Sequence, residues 1–172
     1  MTKIEKLLSI GDLRSAGKSE LVVKQVLSKP GLFEDVVNAI FTDDAGTRMR
    51  ASDAIEKITR EHPEWLKPYK KRFLNDIVNI EQKEVRWHTA QVLPRLNLTI
   101  LEREKVYKLM LQYLDDKSSI VRTFAMQALT DIAIQESKYV NKVRKLIKSL
   151  MKNGSPAMKS RGKKLMIILE NA

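Results

Sequence analysis

The chain repeats itself at intervals of 36 to 38 residues, and this periodicity restricts its fold more than any other feature of the sequence. The clearest unit begins at Asp116, and its apolar residues have the spacing of one helix face: Val121, Ala125, Ala128, Leu129 and Ile132. Equivalent sets begin at Thr47, Val85 and Met158, and each of the four sets has a basic residue in its second position. Such regularity indicates a repeat architecture, in which every unit buries its apolar face against the next unit.

Each repeated helix follows another amphipathic segment, so the repeating unit is a pair of helices. The four preceding segments span residues 32–41, 64–79, 101–114 and 139–151. Short polar turns separate the members of each pair, and in the last turn Ser155 and Pro156 have the chemistry of a helix N-cap and first turn. Two further helices are expected near residues 2–10 and 18–28. The sequence therefore predicts an all-α protein of about five antiparallel helix pairs.

Three prolines interrupt the helical pattern. Pro63 and Pro68 are expected to mark the boundary between one helix and the next, because proline favours the first turn of a helix and disfavours its interior. Pro94 lies inside the third repeated helix. It lacks an amide hydrogen to donate to the carbonyl of Ala90, so a kink in a continuing helix is expected there.

The pattern Asp-x4-Val-Arg-x2-Ala-x2-Ala-Leu at residues 116–129 resembles the second half of a HEAT repeat, and residues 85–96 are similar to a common variant of it. The resemblance implies an α-α superhelix, a HEAT-like solenoid, that forms a single domain over residues 1–172. Its expected parts are an atypical pair of N-terminal capping helices followed by four helix-pair repeats, at residues 1–30, 31–62, 63–98, 99–136 and 137–172. Capping repeats at the ends of a solenoid are often atypical.

The resemblance also implies a ladder between a turn aspartate of one repeat and a helix arginine of its neighbour. The basic positions of this ladder are occupied by Arg48, Arg86, Arg122 and Lys159, whereas only Asp116 stands at the matching acidic position. An incomplete ladder is therefore expected, with structural rather than ligand-binding arginines.

Composition narrows the class of protein further. The absence of cysteine excludes disulfides, iron–sulfur clusters and thiol nucleophiles, and it fits a reducing compartment. The first eight residues carry charges through their apolar stretch, unlike a signal peptide, and no apolar run of membrane-spanning length occurs. A cytoplasmic, soluble protein without a membrane partner is expected.

Positive charge is concentrated at the C-terminal end. The net charge is +11, and residues 137–172 contain ten basic side chains but one acidic side chain, Glu170. Such a segment favours an acidic protein surface or a nucleic-acid backbone as a partner, although it also fits a solvated end of the protein.

No arrangement of residues in the sequence predicts an active site. The two histidines, His62 and His88, stand outside metal-binding motifs, and no phosphate-binding glycine loop or nucleophile elbow occurs. We therefore expect that the protein is not an enzyme and that it uses no metal, cofactor or small-molecule substrate. One class of enzyme remains an alternative, the HEAT-like alkylpurine DNA glycosylases. These enzymes use an aspartate with tryptophan and arginine nearby, and the same residue types occur here as Trp87, Arg95, Asp53 and Asp131.

The resemblance implies that the second helix of each pair lines the concave side of the solenoid. We call its exposed positions the second-helix ridge: they are Met49, Trp87, Thr123 and Ser160; Arg50, His88, Phe124 and Arg161; Asp53, Gln91, Gln127 and Lys164; and Lys57, Arg95, Asp131 and Ile168. The residues predicted to bind a partner are Arg50, Asp53, Trp87, His88, Gln91, Arg95, Thr123, Gln127, Asp131, Arg161 and Lys164. Trp87 fits an interface anchor as well as packing against a neighbouring repeat.

The leading hypothesis is a non-catalytic scaffold or adaptor that binds an acidic or amphipathic protein along this ridge. The alternative is nucleic-acid binding through the basic last repeat, by Lys142, Arg144, Lys145, Lys148, Arg161, Lys163 and Lys164. A third possibility is that the basic end docks against another subunit, because exposed ends of solenoids tend to stack.

Overall fold

The computed structural model describes residues 1–13 and 15–172, and all regular secondary structure in these residues is helical. The all-α prediction is confirmed. The chain forms two compact units, Met1–Leu96 and Asn97–Ala172. The boundary lies close to the predicted start of a repeat at residue 99, and a single domain over residues 1–172 stays a prediction.

The described residues of the first unit form six α-helices and four short 3-10 helices. The α-helices are α1 (Lys3–Leu8), α2 (Ser19–Ser28), α3 (Phe33–Ala39), α4 (Ala45–Glu61), α5 (Lys70–Asn75) and α6 (Lys83–Val92). The 3-10 helices are Pro30–Leu32, Pro63–Tyr69, Ile77–Asn79 and Leu93–Arg95. The two N-terminal helices predicted near residues 2–10 and 18–28 are confirmed as α1 and α2.

The prediction of one amphipathic helix over residues 64–79 was wrong. This segment consists of a 3-10 helix, the short α5 and a second 3-10 helix. Pro63 opens the first 3-10 helix and Pro68 lies inside it, so neither residue can donate a backbone hydrogen bond there. An α-helix begins only at Lys70, after both prolines.

Pro94 does not kink a continuing helix as expected. Instead α6 ends at Val92, and Pro94 lies in a single 3-10 turn that reaches Arg95. The backbone of Leu96 is already extended, so the proline ends the helix rather than bending it. This termination places Arg95 at the end of α6, facing α4.

The helix α4 is the centre of the first unit, where it packs against α2, α3 and α6. Its inward face consists of Ala51, Ala54, Ile55 and Ile58, all of which are fully buried. The two alanines allow neighbouring helices to approach closely, and the isoleucines fill the space between them. The α4 residues that face away from this core form the polar contacts described below.

The second unit consists of four longer α-helices and one 3-10 turn. They are α7 (Ile100–Tyr113), α8 (Ser119–Gln135), the 3-10 turn Ser137–Tyr139, α9 (Val140–Asn153) and α10 (Pro156–Glu170). The expected N-cap of α10 is confirmed, because the Ser155 side chain accepts a hydrogen bond from the Met158 amide and Pro156 follows it. No helix in the described residues is long and apolar enough to cross a membrane.

Close packing of the second unit depends on a glycine in α10. The helix α8 packs against α7, α9 and α10, and α9 also packs against α10. A Cβ atom on Gly162 would lie 2.5 Å from Cγ of Met151, so the absence of a side chain lets α9 approach α10.

Candidate functional site

Polar side chains of the first unit link α2 to α4. Asp53 accepts a hydrogen bond of 2.7 Å from the Ser19 hydroxyl and forms an ion pair of 3.0 Å with Lys57. Lys57 also pairs with Glu20 of α2. Asp53 was predicted to bind a partner, but the structure gives its carboxylate two partners within the first unit.

A second set of ion pairs links α4 to the end of α6 through Glu56. Its carboxylate is 4% exposed and lies 2.6 Å from Nη2 of Arg60 and 2.6 Å from Nη2 of Arg95. Arg95 also donates to the Glu56 carbonyl and to the Thr59 hydroxyl, at 2.7 and 3.0 Å. Arg95 was predicted to bind a partner, but its guanidinium donates hydrogen bonds to Glu56 and Thr59 and so fixes the end of α6 against α4.

His88 of α6 is mostly buried beside these charged residues, and its Nδ1 has no hydrogen-bond partner in the described residues. Burial lowers the pKa of His88 from 6.5 to about 4, because a charged imidazole would lose its hydration. The carboxylates of Asp53, Glu56 and Glu84 oppose this effect only in part, and the Lys57 ammonium reinforces it. His88 is therefore neutral at physiological pH.

The low pKa of His88 predicts a stability loss in mild acid. The unfolded chain takes up a proton at this histidine near pH 6.5, whereas the folded protein does so only near pH 4. The neutral His88 therefore makes its whole contribution to the free energy of unfolding above pH 6.5, and this contribution is lost as the pH falls from 6.5 to 4. This difference amounts to about 2–3 kcal/mol between pH 7.5 and 4.5. Urea unfolding across this range should show a shallower loss for His88→Gln than for the wild type. Parallel pH profiles for the two proteins would contradict the assignment.

The burial of Arg50 contradicts its predicted place on the second-helix ridge. It was expected to be exposed, but it is 1% exposed, and its guanidinium donates to the backbone carbonyls of Leu8 and Asp12. The end of α1 and the residues after it cover this position of α4. Arg50 therefore holds the N-terminal helix in place and cannot contact a partner.

Trp87 and Gln91 lie on α6 and are both half-buried. The Trp87 ring lies 5.5 Å from the ring of His88, and the Gln91 amide donates to the Trp87 carbonyl one turn earlier. Trp87 is thus partly covered by its own unit while part of its ring is left accessible. Both the packing and the anchor interpretation of this tryptophan agree with that position.

In the second unit, α8 and α10 lie side by side and run in the same direction. Near their N-terminal ends the Ser119 and Ser155 hydroxyls are 2.5 Å apart, and farther along the Arg161 guanidinium donates to the Gln127 amide oxygen at 3.0 Å. Because each helix presents its exposed side next to that of the other, a shallow groove forms between them.

This groove has a volume of about 400 Å³, and we call it the α8–α10 groove. Its lining residues are Ile120, Thr123, Phe124, Ala157, Ser160, Arg161 and Lys164. Ile120 is 45% exposed although it is fully aliphatic. The groove thus combines apolar surface with two cationic groups, and no carboxylate belongs to its lining.

The Arg161 side chain is held in place within the groove by neutral groups. Its guanidinium carbon lies 5.6 Å from the centre of the Phe124 ring, within the range of a cation–π contact. The Gln127 amide that receives its hydrogen bond donates in turn to the Asp131 carboxylate at 2.8 Å. The positive charge is therefore oriented but not neutralised by a directly bonded carboxylate.

The structure brings four of the predicted partner-binding residues together at the α8–α10 groove: Thr123, Gln127, Arg161 and Lys164. Thr123 is 7% exposed, and its hydroxyl donates to the Ser119 carbonyl, so it contributes only a small part of the groove wall. Asp131 lies beyond Gln127 along the same side of α8. The helical spacing of the repeat placed these residues, together with Phe124 and Ser160, on one ridge.

Two classes of contributing residue were missed in the sequence. Ile120 and Ala157 line the groove but precede the repeated apolar set of each helix, so the repeat comparison gave no signal for them. Glu56 bridges two arginines, and its only sequence signal is the four-residue spacing to Arg60. No group of three or more acidic or histidine side chains in the described residues is placed to hold a metal ion.

The seven cations proposed for nucleic-acid binding do not converge on one surface of the second unit. Lys142, Lys145 and Lys148 lie on the exposed side of α9. Arg144 donates to the carbonyl of Leu169 and to Asn141, so it caps the end of α10. The remaining three lie on α10, where Arg161 and Lys164 line the α8–α10 groove and Lys163 does not.

Comparison with known proteins supports the fold but no activity. No protein-family model matches the chain, and no curated protein matches it with significance. A solved structure that resembles it is the crystal structure of an engineered protein from the Northeast Structural Genomics Consortium. The TM-score is 0.63 at 15% sequence identity, with 98% of this chain and 78% of the engineered chain covered. At this identity the likeness shows the fold alone.

Proposed function

We propose that this protein is a HEAT-type helical-repeat adaptor that binds a protein partner without catalysing a reaction. The sequence repeat of 36 to 38 residues and its HEAT-like motif support the repeat class. The packing within each unit agrees with it, because α4 lies between α2 and α6 while α8 lies beside α10. The lack of cysteine fits the reducing cytoplasm, where we place the protein.

The observation that carries the proposal is the α8–α10 groove. It exposes an isoleucine and part of a phenylalanine ring beside two cations that have no carboxylate among the lining residues. Apolar surface bordered by oriented charge is typical of surfaces that bind other proteins. Arginine and aromatic side chains are also the residue types that contribute most to such interfaces.

Nucleic-acid binding ranks second because the basic side chains are spread over several surfaces of the second unit. The DNA glycosylase class loses most of its support for a related reason. Asp53 and Arg95, which would have to meet DNA, are engaged in ion pairs within the first unit. Asp53 pairs with Lys57 and Arg95 pairs with Glu56, so each side chain already has a structural partner.

A photo-crosslinking experiment tests the groove as the binding surface. A photoreactive amino acid replaces Ser160, which lines the groove, or Ser149, which is exposed on α9, and each variant is irradiated in a lysate of the source cells. We expect a defined protein band from the Ser160 position that is absent from the Ser149 position and weakened by Lys164→Glu. Equal labelling from both positions, or nucleic acid crosslinked in place of protein, would count against the proposal.

A further inference from the structure

We propose that the α8–α10 groove binds an amphipathic helix whose acidic side chain pairs with Arg161 and Lys164 and whose apolar side chains contact Ile120 and Phe124. This inference rests on the proposed function, because it takes the groove as the protein-binding surface, and it adds the chemistry of the partner. Four features of the groove and its surroundings support it: an oriented guanidinium, a second cation, apolar side chains before and after these cations along α10, and the arrangement of the two helices.

The Arg161 guanidinium is prepared to receive a carboxylate. The Phe124 ring and the Gln127 amide hold it in one position, so little further conformational entropy is lost when a ligand binds. Both groups are neutral and leave the positive charge of Arg161 in place. A planar guanidinium with donors still available matches a carboxylate in geometry as well as in charge.

Lys164 adds a second positive charge less than one turn farther along α10. Its side chain is exposed, lines the groove, and forms no ion pair in the described residues. The sequence of α9 and α10 offers little compensation, because Glu170 is the one acidic residue in residues 137–172, and the Asp131 carboxylate of α8 accepts its hydrogen bond from Gln127 rather than from a cation of the groove. A basic partner would be repelled here, whereas an acidic side chain would neutralise charge that the protein leaves uncompensated.

Apolar residues lie on both sides of these cations. Ile120, Phe124 and Ala157 line the N-terminal part of the groove. Ile168, which is 39% exposed, follows Arg161 by seven residues and therefore lies two turns farther along the same side of α10. The order along this side of α10 is thus apolar, cationic, apolar, with Ile168 lying just beyond the residues that line the groove. A nucleic-acid backbone would satisfy the cations but would leave these side chains in water, so a protein segment fits better.

The dimensions favour a helix as the occupant. The side of α10 that faces the groove extends about 16 Å, or three helical turns, from Ala157 in the groove to Ile168 beyond it. A partner helix presents apolar residues at both ends of such a distance on one face, with an acidic residue at the intervening turn. Two helices lying side by side form a groove into which the side chains of a third helix can insert.

Selection of peptides provides the test. A displayed library of random peptides of about 16 residues is selected on the whole protein, and the enriched peptides are synthesised for measurement of their dissociation constants. We expect enriched sequences to have Asp or Glu with an apolar residue about four positions away on one side and about seven on the other, which matches the spacing from Arg161 to Ala157 and to Ile168. Loss of a charge-assisted pair should weaken binding about tenfold or more in Arg161→Glu and in Lys164→Glu.

Lys163→Glu is the matched control, because this exposed residue adjoins Lys164 in sequence but does not line the groove. It should change binding less than about twofold, since an exposed charge that lies outside the groove contributes little. Replacing the acidic residue of the peptide with lysine should restore binding to Lys164→Glu. Equal effects of Lys163→Glu and Lys164→Glu would overturn the proposal, because they would indicate non-specific attraction.

The outcomes separate this inference from the proposed function. Peptides without an acidic residue that still crosslink to position 160 would overturn the partner chemistry and leave the groove as a protein-binding surface. A library that yields no groove-dependent peptide would overturn both. Binding of a duplex DNA of about 20 base pairs that is sensitive to Lys164→Glu, in the absence of any selected peptide, would assign the groove to nucleic acid instead.

Discussion

Replacing Arg50 with methionine is expected to lower the free energy of unfolding by about 3–5 kcal/mol. Arg50 is 1% exposed and donates to the backbone carbonyls of Leu8 and Asp12, the second at 2.8 Å. Methionine fills part of the same volume but donates nothing. The carbonyl groups of Leu8 and Asp12 then lose their hydrogen-bond donor. Each buried carbonyl that is left without a donor costs about 1–3 kcal/mol.

Urea unfolding monitored by circular dichroism measures this effect, and hydrogen exchange locates it. The amides of α1 should lose protection first, because Arg50 ties the end of that helix to α4. Arg161→Met is the matched control: it is the same substitution at a half-buried arginine in the groove, with an expected cost below about 1 kcal/mol. Equal costs for the two substitutions would show that Arg50 does not have the structural role assigned to it.

Replacing Glu56 with glutamine is expected to cost about 3–4 kcal/mol. The glutamine keeps the shape of the side chain but removes the negative charge between Arg60 and Arg95. Arg95 is 21% exposed and would keep its positive charge in a partly buried position without a counter-charge. Removal of one member of a buried ion pair is more damaging than the absence of the pair, because the remaining charge stays poorly solvated.

A double-mutant cycle with Arg95→Met tests this explanation. The two substitutions together should cost less than the sum of the separate costs, since the double variant leaves no buried charge without a partner and the remaining Arg60 is 64% exposed and stays solvated. Glu61→Gln, an exposed position in the same helix, should change stability by less than about 0.5 kcal/mol. Strict additivity of Glu56→Gln and Arg95→Met would show that the two side chains are not coupled.

The acid sensitivity of the Glu56 site has a definite sign. Burial alone would raise the pKa of Glu56, but the guanidinium groups of Arg95 and Arg60 outweigh it and hold the pKa below its usual value. The carboxylate therefore stabilises the folded protein above the pKa of an unfolded glutamate, and this contribution is lost as the pH falls through the lowered value.

The helices α4, α8 and α10 could be predicted from the sequence because their apolar residues recur at helical spacing over about three turns. The segment between residues 63 and 79 could not be predicted in the same way. It has an apolar periodicity too, but two prolines remove backbone donors and break it into short pieces. Apolar spacing reports which face of a segment is buried, whereas backbone donors decide whether the segment stays helical.

The candidate site could be predicted only in part, for a related physical reason. Helical spacing alone placed Phe124 and Arg161 on equivalent positions of successive repeats, but it did not show that the guanidinium rests on the ring. The burial of Arg50 was missed because its acceptors are 38 and 42 residues away in the sequence and belong to an N-terminal segment outside the repeat. The position of a residue within a repeat does not show whether an element outside the repeat packs over it and buries it.

The ten basic side chains of residues 137–172 also bear on how fast a complex forms and how long it lasts. Their field attracts an acidic partner over about one Debye length, roughly 8 Å at physiological ionic strength, so the association rate constant should fall steeply as salt is added. The dissociation rate constant depends instead on short-range contacts at Ile120, Phe124 and Arg161. Encounter would thus depend mainly on the basic side chains of α9 and α10, and residence mainly on the groove contacts of α8 and α10, with Arg161 contributing to both.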